Sequence, residues 1–314
     1  MPSIELNGLT KKFGPLTAVD HLDLVVEGGE IFGLLGPNGA GKTTTVRMLA
    51  CLISSSEGSA KVGGFDISEE PTKVREIVGI LTENPSLYER LTVRENIEFF
   101  AEAYGLYDAQ ERQDRIRELL DFFQLWDRRN DKVGKLSKGM KQKLAIARTI
   151  VHKPPIILLD EPTSGLDPES AKGIRDLIAD LSQRENHTVL LCTHRLEDAE
   201  KLCDRVMIIN RGRRVVAGTP EELQDRIAGE PTLQVRLKRT DQAILRAVKE
   251  VEQVREISVD DTSGTLLIAV DNLAESAPEI VTKIVYAGGK VLEVNIHRPS
   301  LEEAYLKLVR EEKS

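Results

Sequence analysis

Apolar runs separated by polar, glycine-containing turns predict several buried strands within residues 30–194. The runs are EIFGLLG (30–36), VGIL (78–81), IILL (156–159) and TVLLCTH (188–194). Their apolar residues follow one another without alternation, which is typical of strands buried on both faces. Helical segments fall between them, so the first part of the chain is predicted to be an α/β domain.

The pattern changes after the linker-like AGEPT at 228–232. Runs at 232–238, 255–261, 264–271 and 290–296 read as strands, and two helices between them are marked by apolar residues at helical spacing: Ile244, Leu245, Val248, Val251, and Ile280, Val281, Ile284, Val285. A last helix is predicted to begin at Ser300, with Glu303 completing a capping box. The order βαββαβα is close to a ferredoxin-like split unit. We therefore predict one domain over 1–228 and a small α+β domain over 229–314.

A glycine-rich loop, GPNGAGKTT at 36–44, joins the first apolar strand to a helix predicted from Lys42 to about Ala50. A strand, this loop and a helix are the context that makes the G-x-x-x-x-G-K-[ST] pattern a phosphate site. Glycines let successive backbone N–H groups point at phosphate oxygens, and the helix N-terminus adds positive potential. The chain is thus predicted to bind a nucleoside triphosphate through Gly36, Pro37, Asn38, Gly39, Ala40, Gly41, Lys42, Thr43 and Thr44.

Within that loop, Lys42 would contribute a positive charge beside the β- and γ-phosphates, and Thr43 a hydroxyl ligand for Mg²⁺. Asp160 and Glu161 follow the buried run IILL, at the strand end where ligands bind in open α/β sheets. We assign Asp160 to Mg²⁺, mostly through water. Glu161 is assigned as the general base that polarises the attacking water.

Composition narrows the range of functions. The 314 residues carry a formal net charge of −8, which argues against a nucleic-acid binder that depends on bulk positive charge. Cys51, Cys192 and Cys203 have no metal-ligand spacing and are predicted to be small buried hydrophobes in a reducing compartment. The beginning, MPSIELNGLTKKF, has no signal-peptide core, and no run of 18 apolar residues occurs. If the protein acts at a membrane, we expect another chain to span it.

Three more segments identify a family. LSKGM (136–140) precedes a helix, TSGLDP (163–168) follows the acidic pair, and His194 ends an apolar strand. In this order the chain resembles the ATP-binding cassette (ABC) family over about residues 3–220. The resemblance implies a RecA-like parallel-sheet core that binds ATP and Mg²⁺, an antiparallel β part, and a helical subdomain at about 86–150.

Ser137 and Gly139 are predicted to lie just before a helix start, where a hydroxyl and a backbone N–H can donate to phosphate; Ser137 is also suited to cap that helix. In the family, this signature segment meets the γ-phosphate of ATP held by the opposite subunit. The resemblance therefore implies a homodimer that closes head-to-tail around two ATP molecules. Asp167 resembles the aspartate that links the two sites across that dimer.

Other roles come from the resemblance alone. Phe13 lies where the family places an aromatic ring that stacks on adenine, and Val19 would pack against another edge of the base. His194 resembles the histidine that contacts the γ-phosphate, which would give it a catalytic role beside Glu161 and Lys42.

The sequence departs from the family at two places. Lys138 and Met140 replace a glycine and a glutamine of the usual signature, and Lys138 would add positive charge near phosphate. Glu83 stands where a glutamine normally reaches Mg²⁺ and the water. A carboxylate can also ligate Mg²⁺, although it adds negative charge, so Glu83 is a candidate metal ligand; the alternative is a surface turn residue.

The helical subdomain suggests a membrane partner. Ile116, Leu119, Leu120, Phe123 and Trp126 share one predicted helical face, as packing residues do. By family resemblance, Leu87, Tyr88 and Leu91 in the loop at 86–92 would help line a groove for a short helix of a separate multi-span permease. The chain would then lie on the cytoplasmic face of the cell membrane.

The signature, the loop at 86–92 and the tail RPSLEEAYLKLVRE resemble daunorubicin-resistance-type exporters. We therefore predict an ATPase subunit that powers an ABC-type exporter. The alternative is a soluble ABC ATPase acting on ribosomes or nucleic acid; ribosomal members usually join two cassettes, and DNA-repair members insert a coiled coil absent between Lys42 and Ser137. For the C-terminal domain, dimer contact or regulation of assembly is favoured over metabolite sensing.

Overall fold

The computed structural model describes residues 2–224, 232–260 and 264–297, together with Glu302 and Tyr305. It divides into two units, residues 1–220 and 221–314. The boundary predicted at 228/229 lies outside the described residues, as do Ser300 and Glu303 of the predicted capping box.

The first unit alternates strands and helices, with two short 3₁₀ turns at Trp126–Arg128 and Val133–Lys135. Its elements in chain order are β1 (Pro2–Phe13), β2 (Leu16–Glu27), β3 (Ile31–Leu35), α1 (Lys42–Leu49), β4 (Glu57–Val62), β5 (Phe65–Asp66), α2 (Pro71–Ile77), β6 (Val78–Leu81), α3 (Val93–Ala103), α4 (Ala109–Phe122), α5 (Lys138–Thr149), β7 (Ile156–Asp160), α6 (Pro168–Glu185), β8 (Thr188–Thr193), α7 (Leu196–Leu202), β9 (Arg205–Asn210) and β10 (Arg213–Gly218). The helix α8 (Pro220–Leu223) follows at the boundary between the units.

A six-stranded sheet of order β10-β9-β3-β8-β7-β6 forms the centre of this unit. All neighbouring strands are parallel except β10, which pairs antiparallel with β9. Every residue of β3, β7 and β8 is buried, as the unbroken apolar runs predicted. Because β3 and β7 are both parallel to β8, their carboxyl ends reach the same edge of the sheet, and the candidate site lies there.

A second, antiparallel sheet has the order β2-β1-β4-β5. Its inward residues, such as Leu6 and Leu24, share one core with α1 and with Phe32 and Leu158 of the parallel sheet. This shared core fixes the antiparallel sheet against the strand that leads into the phosphate loop.

The helical segment between β6 and β7 contains α3, α4 and α5. Ile116, Leu119, Leu120 and Phe123 are buried as predicted. Trp126 is not part of that face, because α4 ends at Phe122. Its ring lies beside the guanidinium groups of Arg117 and Arg129, 5.0 and 4.5 Å from the ring centroid, a cation–π arrangement at the subdomain surface.

The second unit contains β11 (Thr232–Leu237), α9 (Gln242–Lys249), β12 (Val254–Asp260), β13 (Thr265–Val270), α10 (Leu273–Tyr286) and β14 (Val291–His297). Its sheet has the order β12-β13-β11-β14, with all neighbours antiparallel. This is the ferredoxin-like arrangement that the sequence predicted. The core joins both helices to the sheet through Ile244, Val248, Val251, Ile280 and Ile284, while Val285 is 55% exposed.

Candidate nucleotide-binding site

The phosphate loop leaves β3 and enters α1 with its backbone pressed against two neighbouring strands. A Cβ atom on Gly36 would lie 2.3 Å from the carbonyl oxygen of Ile209, and one on Gly41 would lie 2.5 Å from that of Ala18. Gly41 also has φ of +108°, a conformation that side chains disfavour. Glycine at these two positions is therefore required by close backbone approach.

Lys42 is buried beneath this loop. Its ammonium group donates to the carbonyl oxygens of Gly36 at 2.7 Å and Pro37 at 3.2 Å. It also lies 3.4 Å from Oε1 of Glu161. The loop therefore holds a positive charge within reach of the carboxylate assigned to catalysis.

The loop, the antiparallel sheet and the strand ends enclose a cavity of about 530 Å³. The predicted residues that line it are Phe13, Asn38, Gly39, Ala40, Gly41, Lys42, Thr43, Thr44, Glu83, Glu161 and His194. Phe13 is half exposed there, and its stacking on adenine stays a prediction. Leu16, Ala18 and Ser164 also line the cavity and were missed from the sequence, because nothing in their spacing distinguishes them from ordinary strand and turn residues.

The prediction for Val19 is wrong. Val19 is fully buried in the core, and its side chain packs behind the loop at Gly41. Residues alternate faces along a strand, so Ala18 faces the cavity in its place.

Asp160 lies at the end of β7 with only 1% of its surface exposed, and its Oδ1 has no hydrogen-bond partner. Burial raises the pKa of this carboxyl, the Thr43 hydroxyl opposes the rise, and the charges of Glu161 and Glu83 add to it. A buried carboxylate oxygen without a partner, beside a hydroxyl, fits an Mg²⁺ ion. The described residues contain no cluster of three metal-ligating acidic, His or Cys side chains; such an ion would take its other ligands from phosphate and water.

Glu161 is held by its backbone and by His194. Its φ of +53° is in the left-handed region, its N–H donates to the carbonyl oxygen of Cys192 at 2.8 Å, and its own carbonyl accepts from Ser164 at 3.1 Å. The ring Nδ1 of His194 lies 2.8 Å from its Oε2. Strain of this kind persists where surrounding contacts fix it, often at functional sites. No sequence signal indicated the strain or the Glu161–His194 contact.

The signature segment differs in detail from the prediction. Helix α5 begins at Lys138, so Gly139 lies in its first turn instead of before it, and Ser137 caps the helix by accepting the Met140 N–H at 3.2 Å. Asp167 similarly caps α6 by accepting the Ser170 N–H, which lowers the pKa of that carboxyl. Ser137, Gly139 and Asp167 are not among the residues that line the cavity.

Comparisons with known proteins decide the family. The model of the family described as "ABC transporter" matches residues 19–164, and that of the "ATP-binding protein DrrA1-3-like, C-terminal domain" matches 218–309. The daunorubicin resistance ATP-binding protein DrrA2 of Streptomyces coeruleorubidus is 35% identical, over 98% of this chain and 94% of its own length. The chain belongs to the ABC transporter ATP-binding proteins. The linearmycin resistance ATP-binding protein LnrL of Bacillus subtilis (strain 168) is 32% identical, over 97% of both chains.

Solved structures of ABC cassettes share the fold. One, the dimeric post-hydrolysis state of the cassette MJ0796 bound to ADP and Pi, has a TM-score of 0.63 and 29% identity, covering 69% of this chain and 98% of that one. The predicted family and ABC cassette fold are thus confirmed, as is ATP hydrolysis by a nucleotide-binding subunit of an ABC-type exporter. These relatives give no support to the ribosomal alternative.

Across the described residues, no helix combines the length and the apolar character that a bilayer requires.

The carboxylate of Glu83 lines the nucleotide cavity, and its contribution can be tested by substitution. Replacing Glu83 with Gln should preserve ATP turnover or raise it, because Gln keeps an oxygen ligand and removes a charge that raises the pKa of Asp160. Steady-state phosphate release over a range of Mg²⁺ concentrations would measure the effect. Glu83→Ala is the control that lacks the oxygen, and complete loss of turnover in Glu83→Gln would mean that the carboxylate itself is required.

Proposed function

We propose that two copies of the chain close head-to-tail on two ATP molecules, and that closure drives a separate membrane permease. The observation that carries the proposal is the incomplete cavity. It contains Lys42, Glu161 and His194 but neither Ser137 nor Gly139, whose hydroxyl and N–H groups lie at the start of α5. A second copy would supply these donors to the γ-phosphate. The similar cassette MJ0796 is a dimer in its post-hydrolysis state, which supports the arrangement.

Within each site, Lys42 would move from the loop carbonyl oxygens to the β- and γ-phosphates. Thr43, Asp160 and Glu83 would hold Mg²⁺, which supplies charge neutralisation for the phosphates when bound. Glu161 would accept a proton from the attacking water, and His194 keeps its carboxylate oriented through the 2.8 Å contact.

The permease would dock on the loop at 86–92. Buried Asn96 fixes this loop, because its amide donates to the carbonyl oxygens of Tyr88 and Thr92 and accepts the Tyr88 N–H, all at 2.9–3.0 Å. Tyr88 is 45% exposed, and Leu87 and Leu91 are half-buried beside it. The loop is thus held rigid while it presents an apolar surface.

The apolar surface extends onto α3. The rings of Tyr88 and Phe99 pack edge to face at 5.2 Å, and Phe99 is 48% exposed. Exposed aromatic residues next to each other are typical anchors of protein interfaces. A short amphipathic helix of the permease would fit such a surface, and the chain would then be peripheral on the cytoplasmic face of the membrane.

Export is the direction that the subfamily supports, since relatives are named for resistance to linearmycin and daunorubicin. We propose a drug-like compound as the class of cargo, recognised by the permease.

Crosslinking from position 88 tests the docking. Tyr88→Cys, carrying a thiol crosslinker and co-expressed with the candidate permease, should capture the permease in the membrane fraction. Leu52→Cys is a matched control, because Leu52 is an exposed apolar residue of the same unit. Without the permease, the chain should leave the membrane fraction. Equal capture from both positions, or sedimentation with ribosomes and never with membranes, would contradict the proposal.

A further inference from the structure

Lys138, which replaces a glycine of the usual signature, makes a specific contact within its own chain. Lys138, in the first turn of α5, donates from its ammonium group to the carbonyl oxygen of Gly165 at 2.9 Å. Gly165 has φ of +65°, and a Cβ atom there would lie 2.2 Å from the Lys138 nitrogen. Because residue 165 has no side chain, the ammonium group has room at this position.

A second contact lies one residue further along α5. A Cβ atom on Gly139 would lie 2.7 Å from the hydroxyl oxygen of Ser170, so the first turn of α5 packs closely on the first turn of α6. Two adjacent residues of the signature thus touch the segment at 163–170, one by a hydrogen bond and one by close packing.

That segment leads directly to the catalytic carboxylate. Ser164, the neighbour of Gly165, lines the nucleotide cavity and donates its N–H to the carbonyl oxygen of Glu161 at 3.1 Å. Lys138, Gly165, Ser164 and Glu161 therefore form a continuous path of hydrogen bonds and one peptide link inside a single chain.

We propose that Lys138 is a positioning residue that ties the signature of one ATP site to the catalytic glutamate of the other. The inference rests on the head-to-tail dimer proposed above. In that dimer, Ser137 would face the ATP of the second copy while Glu161 acts on the ATP of its own chain. When the second copy's ATP engages the signature, Lys138 and Gly165 would carry the displacement of α5 to the turn that fixes Glu161.

This role differs from that of a phosphate ligand. Lysine is a compact charge with three donors, and one donor is already directed at the Gly165 carbonyl. A phosphate ligand would lower the ATP concentration needed for turnover. A positioning residue would instead make turnover at one site depend on the state of the other, and it would order residues 163–168 before any ATP binds.

Lys138→Met keeps most of the length of the side chain and removes the donors, whereas Lys138→Arg keeps a charged donor. Lys143→Met is the matched control, since Lys143 is on the same helix and its ammonium group bonds to Gln124 instead. Three quantities are measured on the full chain: the Hill coefficient of ATP hydrolysis, the affinity for ATP without Mg²⁺, and amide hydrogen exchange at 163–168.

The Hill coefficient of the parent should exceed 1 and approach about 2, the number of sites. Lys138→Met should bring it to about 1 and speed exchange at 163–168 several-fold, with unchanged affinity without Mg²⁺. Lys138→Arg and Lys143→Met should behave as the parent.

A parent that is not cooperative overturns this inference, because turnover at one site then does not depend on the other; the dimer itself is tested separately, by size-exclusion chromatography of Glu161→Gln. If the parent is cooperative and Lys138→Met stays cooperative, Lys138 has no coupling role. If Lys138→Met instead needs more ATP while hydrogen exchange at 163–168 is unaltered, Lys138 acts as a phosphate ligand. Either result overturns this inference and leaves the paired sites standing.

Discussion

Replacing Glu161 with Gln should stop ATP turnover while leaving ATP bound between two chains. The amide keeps the size of the side chain, but it cannot accept the proton of the attacking water, which removes a contribution of about 10²–10⁴ in rate. The carbonyl oxygens of Gly36 and Pro37 hold Lys42 beneath the phosphate loop independently of the carboxylate, so the variant should keep its affinity for ATP. ATP and Mg²⁺ should therefore still close the dimer, and the closed state should persist because hydrolysis no longer opens it.

Phosphate release and size-exclusion chromatography with ATP and Mg²⁺ measure the two effects. Glu197→Gln is the matched control, because Glu197 is a half-exposed carboxylate that pairs with Lys201 on α7, outside the cavity lining. It should turn over ATP at the parent rate and show no trapped dimer. If Glu161→Gln hydrolyses ATP near the parent rate, Glu161 is not the base.

The central residues of the site could be predicted from the sequence, because each group of them lies in one short segment of the chain. The phosphate loop, Asp160 and Glu161 each follow an apolar run, and parallel strands bring their carboxyl ends to one edge of the sheet. Spacing along the chain was therefore enough to predict that the loop and Glu161 meet in one cavity.

What the sequence did not predict depends on distant contacts or on which way a strand faces. Val19 and Ala18 are adjacent, and only the register of β2 against the core decides which one reaches the cavity. The left-handed φ of Glu161 depends on Cys192, on a different strand. Lys138 was expected near phosphate, and its contact with Gly165 depends on how α5 packs beside α6.

A buried charge network joins the segments that carry Glu161 and His194. Asp198 of α7 is fully buried; its carboxylate accepts from Arg175 at 2.7 Å and from the hydroxyl of Thr163, two residues after Glu161. Arg195, next to His194, donates to the carbonyl oxygen of Thr163 at 3.3 Å. The network therefore joins the turn that carries Glu161 to the strand end that carries His194.

Replacing Asp198 with Ala should destabilise the nucleotide-binding unit by about 3–5 kcal/mol, because it leaves the buried guanidinium of Arg175 without its main partner. Urea unfolding can be followed by the fluorescence of Trp126, the only tryptophan of the chain and part of this unit. Asp198→Asn keeps the shape of the side chain and one acceptor oxygen, so the free energy of unfolding should fall by less in this variant.

Glu197→Ala is the control that measures what an exposed carboxylate beside Arg175 contributes to stability. Glu197 also contacts Arg175, at 3.5 Å, but its side chain is 49% exposed, so removing it should destabilise the unit far less than removing Asp198. If Asp198→Ala unfolds at the same urea concentration as Glu197→Ala, the buried network does not stabilise the unit. If Asp198→Ala is destabilised as expected, its turnover below the unfolding transition should also fall, because Glu161 and His194 would lose the framework that keeps them 2.8 Å apart.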